Sequence, residues 1–226
     1  MQPHYLENFV QALFDVLNAS DVSGQALTGQ TLVLGGDGRF YNRAAVQIIL
    51  KLAAANGVAQ VLLGCGGILS TPAVSAVIRR HHAFGGIVLS ASHNPGGPDG
   101  DFGIKYNAGN GGPANETLTE AVFARTKVLT ELHMSDAADI HIDQLGTQRI
   151  EHMHVEVIDP VADYAAVMRE LFDFDMLRGM FKRGFTMRVD AMNAVGGPYA
   201  KAILEGELGA PEGTVVNAVP LEDFGG

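Results

Sequence analysis

Three short apolar runs constrain this chain more than any other feature. Each is closed by glycines or small polar residues, and helix-length amphipathic segments separate them. Leu32-Val33-Leu34 enters Gly35-Gly36-Asp37-Gly38, Val61-Leu62-Leu63 enters a glycine-rich turn, and Ile87-Val88-Leu89 enters Ser90-Ala91-Ser92. Runs that are apolar at every position read as strands covered on both faces. Between them, Asn42 is placed to cap a helix through Asn56, with Ala45, Ile48, Ile49 and Leu52 on one face. Ser70-Thr71-Pro72 opens a second helix reaching about His81, with Pro72 in the first turn, where its missing N–H costs nothing. The order strand, helix, strand, helix, strand, with right-handed crossovers, predicts a three-layer α/β/α sandwich. Chemistry in such sheets gathers at the carboxyl ends of the strands. That rule points at Gly35–Tyr41, Gly64–Thr71 and Ser90–Gly103.

Apolar residues from Tyr5 to Leu17 predict a one-faced helix, followed by a loop containing Ser20, Asp21, Ser23 and Gly24. Phe102–Tyr106 reads as a further strand, with antiparallel pairing open, which would make the sheet mixed. Leu118–Leu132 is helical by pattern. Residues 133–154 give no clean period, Val155–Ile158 reads as a strand ended by Asp159-Pro160, and a helix runs through Tyr164, Val167, Met168 and Leu171. A second strand–helix pattern begins at Phe185–Val189, with a helix over about Pro198–Leu208 and a short strand at Val215-Val216. One strand, one helix and a short strand cannot bury a sheet on both faces. The expectation is therefore a first domain over 1–165 and an incomplete second α/β domain over 166–226.

Apolar residues make up 47% of the 226, enough for a large core, and the formal net charge of -10 disfavours a nucleic-acid partner. A local pocket can still be positive on an acidic protein and take a small anion. Cys65 is the only cysteine, which removes an intrachain disulfide and a cysteine-built metal cage. Neither a signal peptide nor a membrane span is expected, and the cytosol is the default compartment. Oligomeric state leaves no mark on the sequence.

The densest polar stretch is Ser90-Ala91-Ser92-His93-Asn94-Pro95-Gly96-Gly97-Pro98, directly after the third strand. A serine in such a stiff turn can be presented to a pocket. His93 can donate to a phosphate, and Asn94 can hold the loop by bonding its own backbone. Read alone, a Ser-His pair is more often a structural turn. The strand-end position, the Pro-Gly-Gly tail and Lys105 downstream shift the balance toward chemistry. Lys105 could stabilise charge or move a proton beside a transferring phosphate, although an isolated lysine is more often a surface residue. Arg39 could pair with Asp37 or reach a phosphate, structural support being the stronger reading. Asp99-Gly100-Asp101 is a weak match to a metal loop. Cys65 reads as a packing residue. His81, His82, His133, His141, His152 and His154 match no compact metal site. Nothing resembles the Gly-x-Ser-x-Gly of esterases, and Gly64–Thr71 lacks the ending of a nucleotide-phosphate loop.

The string SASHNPGGPDGDFGIKYN resembles the active-serine loop of the α-D-phosphohexomutases. More closely, the chain is similar throughout to eukaryotic-type phosphoglucomutases, parafusin-like members included. YLENFVQALF, LVLGGDGRFYN, LAAANGVAQVLLGCGGILSTPAVSAVIRR, VEVIDPVADYAAVMRELFDF and NAVPLEDFGG carry the likeness. The resemblance implies that Ser92 is the phosphorylated serine. It passes its phosphoryl group to glucose 1-phosphate, and glucose 1,6-bisphosphate then turns over to leave glucose 6-phosphate. It further implies that His93 borders the phosphate and that Lys105 is the proton-transfer partner; Arg39, Asn94 and Asp101 are expected to support the loop or substrate. Mg²⁺ would be held by the Ser92 phosphate together with three aspartates of a later loop. The resemblance covers the first of four domains and the opening of the second. The stretch corresponding to an amino-terminal arginine strand, the aspartate loop and the later sugar and phosphate loops fall outside the match. Asn193 stands where relatives often have histidine, and Ser90 where they often have threonine. The isolated chain is therefore expected to be nearly inactive. The alternatives are a non-catalytic phosphoprotein or partner-binding relative, and an unrelated hydrolase using Ser92.

Overall fold

The computed structural model describes residues 4–19 and 25–226. The expected loop at Ser20–Gly24 lies outside the described residues. Six strands form one mixed sheet in the order β4-β3-β1-β2-β6-β5. These are β1 (Thr31–Gly36), β2 (Gln60–Ile68), β3 (Gly85–Leu89), β4 (Ile104–Ala108), β5 (Gly146–Ile150) and β6 (Met153–Ile158). The four inner strands run parallel, while β4 and β5 close the two edges antiparallel.

Alternation along the strands sorts the core into two layers, because successive side chains point to opposite faces. Leu32, Leu34, Val61, Leu63, Ile87 and Leu89 pack on one face with α1 (Tyr5–Asn18) and α2 (Asn42–Ala55). Val33, Leu62 and Val88 pack on the other with α3 (Thr71–Arg80). Ser70 caps α3, its Oγ accepting from Ala73 N at 3.3 Å. Then α4 (Glu116–Thr126) lies on α1, and α5 (Ala162–Leu171) lies on α3. The α/β/α sandwich with a mixed sheet is as expected, and β4 takes the antiparallel option.

Four local expectations need correction. Asn42 does not cap α2; Tyr41 occupies that position at φ 73, and Asn42 Nδ2 donates to Gly67 O at 3.1 Å. Asn42 is already the first residue of the helix, and its Oδ1, the atom a cap would use, has no partner among the described residues. The helix expected over Leu118–Leu132 ends at Thr126. The chain beyond it is drawn across α2, where the Gln47 amide both donates to Ile140 O at 2.9 Å and accepts from Ile140 N at 3.2 Å. A helix absent from the reading, α6 (Phe174–Lys182), is capped by Asp173, whose Oδ1 accepts from Met176 N at 2.9 Å. The strand expected over Phe185–Val189 is only β7 (Val189–Asp190), which pairs in parallel with β8 (Val215–Val216).

These last strands form a separate two-stranded sheet. Between them lie α7 (Gly196–Ala200) and a π-helical stretch, Lys201–Glu207. Tyr199 ties this unit to the first: it is buried against α3, and its hydroxyl accepts from Ser70 N at 3.0 Å.

Gly36 ends β1, where a Cβ would collide with the Asn42 side chain and the Leu89 carbonyl. Gly36→Ala should therefore cost roughly 1–3 kcal/mol, the usual range for forcing an extra methyl into a packed site. The urea unfolding midpoint reads this directly. Gly196→Ala, whose Cβ meets nothing within 4 Å, should leave it within experimental error.

Candidate active site

Three strand ends converge, as the strand-end rule predicted. Asp37 follows β1, Leu69–Thr71 follow β2, and Ser90–Asn94 follow β3; together they line a cavity of about 730 Å³. The second unit completes the wall with Met192, Ala194, Val195 and Phe224. Ser70 and Thr71 begin α3, so the positive end of that helix dipole also sits at this cavity.

Ser92 stands on a sharply bent loop. Its φ is 56, a left-handed conformation that non-glycine residues seldom adopt. Ser92 N donates to Ser90 Oγ at 3.0 Å, and Ser90 N donates to Gly103 O at 2.9 Å, closing the loop at its base. The Ser90 position thus uses its hydroxyl to turn the chain toward Ser92. Gly103 has no side chain because a Cβ would strike the Ser90 carbonyl. The Ser92 side chain is exposed, and Lys105 Nζ donates to its Oγ at 2.7 Å. Pairing of β4 with β3, Lys105 opposite Val88, brings the lysine to this place.

Arg39 organises the rest of the loop. It is 1% exposed, and all five of its N–H groups have partners. Nε and Nη2 donate to the Asp37 carboxylate at 2.9 to 3.1 Å. Nη2 also donates to Ser92 O at 3.2 Å, and Nη1 donates to Asp101 O at 2.7 Å and Asn94 O at 3.4 Å. No donor is left for a substrate phosphate, so the arginine shapes the loop from beneath.

Asn94 corrects its expectation. Its Nδ2 donates to Asp101 Oδ2 at 2.8 Å instead of to its own backbone. His93 is exposed and lines the cavity; no hydrogen bond holds its ring among the described residues. Cys65 is half-buried outside the cavity, and burial pushes its thiol pKa up, which suppresses the nucleophilic thiolate. The expected site residues Ser92, His93, Asn94, Asp101, Lys105 and Arg39 therefore share one loop and its support. Sequence reasoning missed Met192, Val195 and Phe224. The available signal was an aromatic set among acids and glycines in Glu222-Asp223-Phe224-Gly225.

Magnesium, implied by the resemblance, does not find a site among these residues. No group of three His, Cys, Asp or Glu side chains converges among the described residues. Asp37 is engaged by Arg39 and Asp101 by Asn94, so neither nearby carboxylate stands free to join Ser92 Oγ, or a phosphate on it, in holding a cation.

Arg39→Lys should loosen the loop, because one ammonium cannot replace a planar five-donor fork. Arg39→Ala leaves the buried Asp37 unpaired and should cost about 3–5 kcal/mol. Urea denaturation measures both, and the lysine variant should fall between the parent and the alanine variant.

Comparison with known proteins agrees in sequence and in shape. The family model described as phosphoglucomutase/phosphomannomutase, alpha/beta/alpha domain I, matches residues 1–133. A phosphoglucomutase of Rhizobium radiobacter is 59% identical over 225 residues, covering 100% of this chain and 40% of that protein. Phosphoglucomutase-1 of Bos taurus is 47% identical over 233 residues, covering 99% and 40%. The crystal structure of the exocytosis-sensitive phosphoprotein parafusin from Paramecium, in its open form, superposes with a TM-score of 0.91 at 42% identity, covering 99% of this chain and 42% of that one. A putative phosphomannomutase from Thermus thermophilus, at 23% identity and a TM-score of 0.73, shares the fold. The chain thus spans about 40% of the length of these curated relatives. With its domain I pattern matched over more than half its residues, the chain belongs to the phosphoglucomutase/phosphomannomutase family.

Proposed function

We propose that Ser92 carries a phosphoryl group and exchanges it with glucose 1-phosphate and glucose 6-phosphate by way of glucose 1,6-bisphosphate. The observation that carries this reading is the 2.7 Å contact from Lys105 Nζ to the exposed Ser92 Oγ at the cavity. In the forward transfer, the sugar hydroxyl oxygen bonds to phosphorus while the Ser92 Oγ–P bond breaks. The proton lost by the sugar hydroxyl replaces the one that Lys105 gives to Oγ, so charge and protons balance. The reverse transfer, from the other end of the bisphosphate, reloads Ser92 and releases the product. His93 faces the transferred group as a donor, and the amino end of α3 adds partial positive charge. Phosphoryl transfer asks for this positioning and charge stabilisation more than for covalent work by the protein.

In this reading residues 1–165 are the nucleophile domain and 166–226 belong to a second domain, of which Met192, Ala194, Val195 and Phe224 wall the cavity. Of the described residues at the site, only a phosphate on Ser92 would offer Mg²⁺ a ligand, and the ion would supply charge compensation there; no step above depends on it. The free thiol of Cys65 fits a reducing compartment, and the cytosol is the one we assign. The 226 residues span 40% of a relative's length, so sustained turnover is not expected of them by themselves.

The test is phosphate uptake. After incubation with glucose 1,6-bisphosphate and Mg²⁺, peptide mapping over residues 86–105 should find one phosphate, on Ser92. Ser92→Ala should take up none, and Lys105→Met should slow uptake by about 10²–10⁴-fold, the usual worth of a positioned proton-transfer group. Phosphate on another residue, or phosphate-independent cleavage of acyl esters, would overturn the reading.

A further inference from the structure

The segment over residues 218–224 joins the two units at the serine loop. On one side it is pinned to the second unit: Leu221 N donates to Asn193 O at 2.9 Å, and Asn193 Nδ2 donates to Val219 O at 3.0 Å. Gly197 lacks a side chain where a Cβ would meet the Ala218 backbone. On the other side a single carbonyl, Glu222 O, accepts from Phe40 N at 2.8 Å and from Gly97 N at 3.0 Å. That oxygen therefore holds both the turn entering α2 and the far limb of the serine loop. Gly96 makes room, since a Cβ there would lie 2.8 Å from Glu222 O and 2.9 Å from the Phe224 ring.

Phe224 completes the arrangement. Its ring lies 5.3 Å from Arg39 Cζ, within the range of an attractive cation–π contact. The edge donors of Arg39 are all engaged, so its face is the remaining approach, and Phe224 covers it from the cavity side. Phe224 also has φ 60, and Ser92 has φ 56. A bulky aromatic in this region is an outlier that persists only where its surroundings determine it. These two outliers flank the same guanidinium, one through Ser92 O at 3.2 Å and the other through its ring.

We infer that Phe224 is a positioning residue for Ser92, acting through Arg39, and that the 218–224 strap makes the geometry of the serine loop depend on the second unit. Without the ring, water in the cavity reaches the guanidinium face and competes for the carbonyls of Ser92 and Asn94. The loop then loosens, and Oγ leaves the reach of Lys105. The functional meaning of this inference rests on the reading of Ser92 given above, but its test involves no phosphate.

Hydrogen–deuterium exchange on the 226-residue chain, with the Arg39 Nε–H resonance followed by NMR, tests the inference. In Phe224→Ala, amides over 92–101 and the Arg39 Nε–H should exchange about tenfold faster, the scale of one partly desolvated cation–π contact. Amides of Leu32–Leu34 and Ile87–Leu89 should keep their parent rates. Phe224→Tyr should restore slow exchange, and Phe224→Leu, which keeps bulk without the ring face, should not. Unchanged rates over 92–101, equal acceleration in the central strands, or full restoration by leucine would each overturn the inference. Failure of Ser92 to take phosphate would defeat the mutase reading and leave these exchange rates as they are.

Discussion

The buried guanidinium of Arg39 is the contact on which the site depends. An arginine almost wholly out of water is costly unless every N–H finds an acceptor. Here the Asp37 carboxylate takes one edge of the fork, and three carbonyls of a single loop take the rest. The loop carbonyls that would otherwise face the protein interior unpaired are thereby satisfied. Desolvation makes the geometry exacting, because displacing any of these carbonyls would leave a buried donor without a partner. The loop that bears Ser92 is thus rigid for an electrostatic reason, and its left-handed serine can persist.

That rigidity acts at the edge of the sheet. β3 delivers Ser92, and its antiparallel neighbour β4 returns Lys105 to the same spot. Parallel pairing could not do this with so short a connection, since it requires a long crossover. The mixed edge of the sheet is therefore what lets a serine and a lysine thirteen positions apart touch. The cavity wall opposite is built by the second unit, which packs on the main sheet through Tyr199 and Val195, so residues of both units share one site.

Much of this could be read from the residues. The apolar runs at Leu32, Val61 and Ile87 located the central strands because strands buried on both faces need no alternation. Ser70 and Pro72 marked the start of α3 through local chemistry alone. The serine loop stood out by its polarity; Ser92 and His93 line the cavity, and Lys105 reaches Ser92 Oγ. What could not be read was set by distant contacts. Asn42 looks like a cap, yet the helix takes it in as its first residue and turns its Nδ2 to Gly67 O. The path over 133–145 has no period because it is fastened by single side chains such as Gln47 and Lys51 on α2. Arg39 was legible as a support, but the number of its partners was not, since they arrive from three separate positions of another loop. Phe224 gave no periodic signal at all. Its ring acquires a role only once the chain folds back on Arg39.

The most direct measurement of the central claim is a ³¹P NMR spectrum of the chain after exposure to glucose 1,6-bisphosphate. One phosphomonoester resonance should appear on the protein, absent from Ser92→Ala. Its position should shift in Lys105→Met and stay fixed in Lys127→Met, where the lysine instead covers the Phe123 ring. A resonance that survives loss of the serine, or one indifferent to Lys105, would contradict the account.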